Sequence, residues 1–336
     1  MTGLSVDRQK TRSDTKSRPG KRSDSNGHNY QACIEAATLK TVAYADVFDY
    51  PLTLSEISRY LIGASASLNT IATILQSGSL TRTLLDRESG YVFLAPRKEI
   101  LYTRQRRSKI AASKWPKAIH YGKMIARLPF VRMVAVTGAL AVDNLDDDGD
   151  LDYLIITSPR RLWICRAMTI TLVRLAALFG DVICPNYFLS KRALIFEDRN
   201  LYTAHELAQM VPISGLETYQ QIRSVNQWSK TFLPNANDSP VRAKNLLTKN
   251  GTQRNDFIRS YTERLLYSSA INRLEDWEMK RKIHKFTRAT INHHEIAFSQ
   301  DWCKGHFEGH AHRTLVAFEE KMSKLGIEGL CPHQPY

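Results

Sequence analysis

The chain has 336 residues, 43% apolar and 24% charged, which is ordinary for a soluble globular protein and enough for roughly two or three domains around a sizeable core. Lys and Arg number 47 against 33 Asp and Glu, and the formal net charge of +14 favours a polyanionic partner or a phosphate-bearing substrate, with a generally basic surface as the plain alternative. Five widely spaced cysteines without a Cys-x-x-Cys do not suggest a disulfide framework and fit a reducing cytosol, the N-terminal stretch has no apolar run of the secretory kind, and the longest apolar run, 167–180, is broken by Arg174 and too short for a bilayer. A cytoplasmic protein with no membrane partner is expected.

Residues 1–30 are rich in Ser, Lys, Arg, Asp and Gly and cannot bury enough surface to offset their ordering entropy, so they read as a disordered basic tail. Residues 31–113 form the first folded unit. Ala36 to Phe48 is apolar at helical spacing, and after Pro51 the run Thr53-Leu54-Ser55-Glu56 is a capping box that opens a second helix ending near Gly63. A third helix is expected from Ser67 to Gln76, then a hairpin of Leu80 to Leu85 and Tyr91 to Leu94 about a turn at 87–90. Three helices and a hairpin resemble a winged helix-turn-helix domain. The third helix would enter a major groove, yet no Lys or Arg occurs from Tyr60 through Thr81, and base readout depends on such donors. A packing or protein-contact module is therefore preferred to a sequence-specific DNA reader. Arg97 to Arg127 follows with ten Lys or Arg against the single acid Glu99. One face of this basic helix packs; the other is either a solvated face or a surface for RNA, DNA or nucleotide phosphates.

The stretch from Val134 to Thr157 reads as strand, glycine turn, loop and second strand. Asp150 and Asp152 stand two residues apart at the start of the second strand, and alternate strand residues share a face. Like charges held that close are costly unless neutralised, and Mg²⁺ shared with substrate phosphates is the usual remedy. Gly138 lets the backbone approach a ligand closely. The plain alternative is an acidic loop before an ordinary buried strand, and Asp146, Asp147 and Asp148 read as solvated loop. Leu162 to Leu178 is apolar nearly all round, as in a helix buried against a sheet. Val182 to Leu189 gives a third strand, and Arg192 to Phe196 a candidate fourth.

An apolar strand, a glycine turn and, about ten residues on, Asp-x-Asp in a following strand resemble the signature of the nucleotidyltransferase superfamily that includes DNA polymerase beta and the minimal nucleotidyltransferases. The resemblance covers roughly 114–215, with Gly138 and Ala139 in place of the glycine pair; Ala139 lacks the hydroxyl usual there, although Thr137 is adjacent. It implies an α+β fold with a central mixed β-sheet and helices, flanked by the winged-helix-like unit and a helical C-terminal region, 216–336. It implies transfer of a nucleoside monophosphate from an NTP such as ATP to an acceptor, with Mg²⁺ on Asp150 and Asp152 and phosphates against Thr137, Gly138 and Ala139. A catalytically impaired nucleotide-binding protein of the same fold, or a winged-helix nucleic-acid binder, are the other classes. A third acidic residue would sit on the strand after the buried helix, where Asn186 stands; Glu197, Asp198 and Glu206 are the substitutes on offer.

In the C-terminal region, Leu216 to Phe232 and Asp256 to Met279 read as helices about a polar loop, Pro234 to Asn255, with Leu274 and Trp277 as a core-facing stripe. Cys303, His306 and His310 follow i, i+3, i+7 spacing, with His312 beyond and His293 and His294 nearby. On a continuous helix they would share a face, which leaves zinc ligation, substrate contact and ordinary packing all open.

Overall fold

A computed structural model describes residues 23–243, 246, 255–289, 298–304 and 309–327. It is a mixed α+β protein with two open sheets. The first unit begins with helix α1 (Ser23–Asp46), so helix already covers part of the stretch expected to be a disordered tail. Strand β1 (Leu52–Thr53) leads into α2 (Leu54–Arg59), where Thr53 and Glu56 form the expected reciprocal capping box. Helix α3 (Leu68–Ser77) starts at Ser67, whose side chain accepts from the Thr70 amide. Residues expected as the first hairpin strand are instead mostly helix, α4 (Ser79–Leu84). The cause lies on α1: the buried Glu35 carboxylate accepts from the amides of Leu80 and Thr81 at 2.8 and 2.9 Å and so caps a helix there. The hairpin comes later, as β2 (Leu85–Glu88) and β3 (Tyr91–Leu94), and β3 sits between β1 and β2 in an antiparallel sheet.

Helix α5 (Ile100–Ala126) crosses from this unit to the second sheet. That sheet contains β4 (Val131–Val136), β5 (Leu151–Thr157) and β6 (Ile183–Ser190), linked through the short α6 (Gly138–Ala141) and through α7 (Leu162–Ala177). Helix α8 (Leu201–Gln209) then leads to β7 (Val211–Ser214), which pairs with β4. Strand β8 (Trp302–Lys304) closes the opposite edge, giving the order β7-β4-β5-β6-β8. Only β5 and β6 run parallel, as the crossover through α7 requires. Alternation divides the faces. Val134, Val136, Tyr153 and Ile155 pack towards α5 and α7, whereas Met133, Ala135, Leu154 and Ile156 pack towards α8 and α9 (Leu216–Val225). No separate strand forms over 192–196.

The remaining helices are α10 (Ser229–Phe232), α11 (Asn255–Leu265), α12 (Ser269–Ala289) and α13 (His310–Lys324). The helix expected over 256–279 is thus two helices. The stripe expected to face the core does not: Leu274 and Trp277 are exposed, and α12 turns Glu275 and Glu278 inwards. Glu275 accepts from the amides of Trp163 and Ile164 at 2.9 and 2.8 Å, so a buried acid is held by the first turn of α7. The end of α7 also departs from expectation. Leu175, Leu178, Phe179 and the following Val182 are exposed, with no described element covering them.

The basic stretch is largely neutralised by acids distant in sequence. Arg97 pairs with Asp46 and Asp49, Lys98 with Glu88, Arg104 with Glu56, Arg106 with Asp146 and Asp147, Arg107 with Asp146, and Lys117 with Asp181. Asp146 and Asp147 are therefore not a merely solvated loop: with Asp143, which accepts from Trp115 Nε1 at 2.7 Å, they pin the β4–β5 connection onto α5. Among the described residues no helix is long and apolar enough to cross a membrane. Cys33 is disulfide-bonded, which the sparse cysteine set did not suggest, while Cys165, Cys184 and Cys303 are free.

Candidate metal centre

Strands β4 and β5 pair antiparallel with Val136 opposite Tyr153, and the Thr137 amide continues the ladder to the Asp152 carbonyl at 3.1 Å. At the next residue the chain turns at positive φ, +63° at Gly138, a conformation a glycine adopts without strain. A Cβ built there would run into the Asp152 carboxylate. The glycine turn and the Asp-x-Asp strand therefore meet. Asp150 and Asp152 share the face of Leu154, and both line the cavity that Thr137, Gly138 and Ala139 also line.

The third wall comes from β6. Asp152 stands opposite Cys184, but Leu154 stands opposite Tyr187, so β6 carries one extra residue across this interval. Pro185, which has no N–H to give to a ladder, lies inside the bulge. Cys184 and Asn186, two residues apart as on one strand face, both reach the Asp152 carboxylate. Asn186, buried, donates from Nδ2 to Asp152 Oδ1, and Cys184 Sγ donates to Asn186 Oδ1 at 2.6 Å. Asp150, Asp152 and Cys184 each present a ligand atom, and these atoms lie within 4.8 Å of one another.

Burial, and then the neighbouring Asp150 charge, push the Asp152 carboxyl up to about 8, against the opposing hydrogen bonds from Asn186 and Cys184. Burial and the two carboxylates likewise raise the Cys184 thiol. Besides burial, Asp152 and Cys184 thus each meet the negative charge of a neighbouring carboxylate. Two carboxylates and a thiol around one point, beside a backbone turn with no side chain, fit a divalent cation.

Of the candidate third acids, Asn186 is in place but neutral. Glu197 is exposed and outside the cavity, and Asp198 is exposed and paired with Lys304 at 2.9 Å. Glu206, on α8, is the one that lines the cavity, and burial raises it to about 7 against the opposing charge of Lys304. Lys304, on β8, is the single Lys or Arg among the cavity-lining residues and was not singled out in the sequence; nor was Cys184, although its strand spacing from Asn186 was a usable signal. The cavity measures about 640 Å³ and extends to an aromatic wall in which Tyr44 of α1 stacks on the buried His205 of α8 at 4.0 Å between centroids.

The C-terminal cluster does not share one helix face. Cys303 is buried in β8 opposite Phe188, whereas His310 opens α13 and lines the cavity. His293, His294 and His306 lie outside the described residues. Compared with protein-family models, with curated proteins and with solved structures, the chain gives no significant match.

Proposed function

We propose that the protein is a divalent-cation-dependent nucleotidyltransferase that moves a nucleoside monophosphate from an NTP to an acceptor. Mg²⁺ is the ion that the sequence resemblance implies. The observation that carries this reading is the meeting of Gly138 with Asp152, beside Asp150, at the end of a sheet in which β5 runs antiparallel to β4 and parallel to β6. The cation, when bound, neutralises the aspartate pair and the polyphosphate. Asp150 and Asp152 hold it, and Asn186 fixes the Asp152 carboxylate in rotation. Thr137, Gly138 and Ala139 offer the phosphates a wall without side-chain bulk. The acceptor oxygen forms its bond to the α-phosphorus as the bond to pyrophosphate breaks, and the acceptor proton passes to Glu206. Lys304 places a positive charge at the same wall for the departing pyrophosphate.

Incubation with Mg²⁺ and α-labelled NTPs tests the proposal: label transfer with pyrophosphate release is expected, and Asp150→Ala should remove it. NTP binding without turnover would instead support a catalytically impaired nucleotide-binding protein, a reading favoured by the neutral Asn186. A nucleic-acid binder acting through 97–127 would show salt-sensitive RNA or DNA binding that survives both Asp150→Ala and Asp152→Ala. The internal pairing of six of the ten basic side chains in that stretch counts against it.

The role given to Glu206 predicts a pH dependence. Its carboxyl, raised to about 7, is a base only once deprotonated, so turnover should climb as pH rises through about 7 and then level. Glu206→Gln should flatten that limb and lower turnover about 10²–10⁴-fold. A variant that keeps the wild-type pH profile would remove Glu206 from the proton path.

A further inference from the structure

We propose that Cys184 is a third protein ligand of this centre, so that the site takes a thiophilic divalent ion of the Zn²⁺ or Co²⁺ class more tightly than Mg²⁺. The inference rests on the reading of Asp150 and Asp152 as metal ligands and refines which ion they hold.

The geometry carries it. A four-coordinate ion with protein ligands at about 2.0–2.3 Å keeps its donors within about 4 Å of one another, and the donor atoms of Asp150, Asp152 and Cys184 lie within 4.8 Å in the absence of any ion. The remaining difference is under about 1 Å. The thiol is also placed unlike the other free thiols. Cys165 and Cys303 are buried in the apolar core, whereas Cys184 is half-buried, lines the cavity and donates to the amide oxygen of Asn186. It stands opposite Asp152 in the β5–β6 ladder, with Asn186 two residues on along the same strand face.

Charge points the same way. Asn186 adds no negative charge, but a Cys184 thiolate with the two aspartates presents three, the number that three carboxylates would supply. A thiolate is a soft donor, and soft donors shift a site from Mg²⁺ towards Zn²⁺ and its neighbours. Binding would replace the thiol proton by the metal, and the proton would leave to solvent.

The test uses the full chain, stripped of metal by a chelator and titrated with Co²⁺, Zn²⁺ and Mg²⁺. One equivalent of Co²⁺ is expected to raise a sulfur-to-cobalt charge-transfer band in the near ultraviolet. Cys184→Ser and Asp150→Ala should each remove that band, with circular dichroism confirming the fold. Cys184→Ser should weaken Zn²⁺ and Co²⁺ about 10–100-fold while leaving Mg²⁺ within about threefold. Co²⁺ that binds the wild type without the band, or a band that survives Cys184→Ser, would overturn the assignment of Cys184 and leave the aspartate pair standing. No divalent ion bound by wild type and Asp150→Ala alike would overturn the metal centre itself.

Discussion

Asp152→Asn is expected to abolish turnover and, at the same time, to stabilise the protein freed of metal. Burial and the Asp150 charge raise the Asp152 carboxyl to about 8 in the folded chain, from an ordinary value near 3.8. The folded state therefore holds that proton more tightly than the unfolded chain does. Its contribution is fully present below about pH 4 and is lost as pH rises through about 8. At pH 8.5 the wild type carries an ionised carboxylate beside Asp150 in a half-buried site, and the neutral amide relieves it. Asparagine keeps the shape and can still meet Asn186. The gain should be on the order of 1–3 kcal/mol, read as several degrees in thermal midpoint at pH 8.5 with chelator, and should shrink towards zero at pH 4. Added divalent cation should raise the wild-type midpoint and leave the variant's unchanged, because binding to the native state alone stabilises it. Turnover should fall at least about 10³-fold. An Asp152→Asn midpoint equal to the wild type's at pH 8.5 would mean that the pair is not mutually repelled, and the physical reason for a cation there would go with it.

What the sequence revealed follows the range of the interactions responsible. The capping box at Thr53 and Glu56 was legible because both partners lie within one helical turn. The strands around Gly138 and Asp152 were legible because their apolar alternation is local, and Gly138 needed no side chain to announce a close approach. Helix α4 was not legible, since the carboxylate that caps it comes from Glu35, some 45 residues earlier. The basic stretch looked unpaired for the same reason: Asp46, Asp146 and Asp181 reach it only through the fold. Helix α12 defeated the apolar-stripe rule because it buries Glu275, which accepts from the Trp163 and Ile164 amides, and Glu278, which pairs with Arg281, while Leu274 and Trp277 stay exposed. The choice among Glu197, Asp198 and Glu206 turned on which carboxylate the chain carries into the cavity, and no spacing rule decides that. Cys184 stood within reach of the two-residue rule, two positions before Asn186, but that β6 lies beside β5 with Cys184 opposite Asp152 is a property of the fold and not of the spacing.

Gly138→Ala is expected to lose the centre's metal affinity and at least about 100-fold in turnover, for two separable reasons. The first is backbone strain: at φ +63° an L side chain costs roughly 1–2 kcal/mol. The second is contact, because the new methyl group would occupy the space of the Asp152 carboxylate and push it from Asn186 and Asp150. A control separates them. Gly180 also has positive φ, +76°, but a Cβ there meets nothing within 4 Å. Gly180→Ala should therefore carry the strain alone, lowering the thermal midpoint slightly while metal affinity and turnover stay at wild-type values. Ala139→Ser, one residue on, restores the hydroxyl that the sequence pattern usually has there and should leave metal affinity intact. Isothermal titration of all three variants with Mg²⁺ and Zn²⁺ reads the difference directly. If Gly138→Ala bound both ions as the wild type does, the close approach of this turn to Asp152 would have no bearing on the site, and the strongest link between the glycine turn and the aspartate pair would fail.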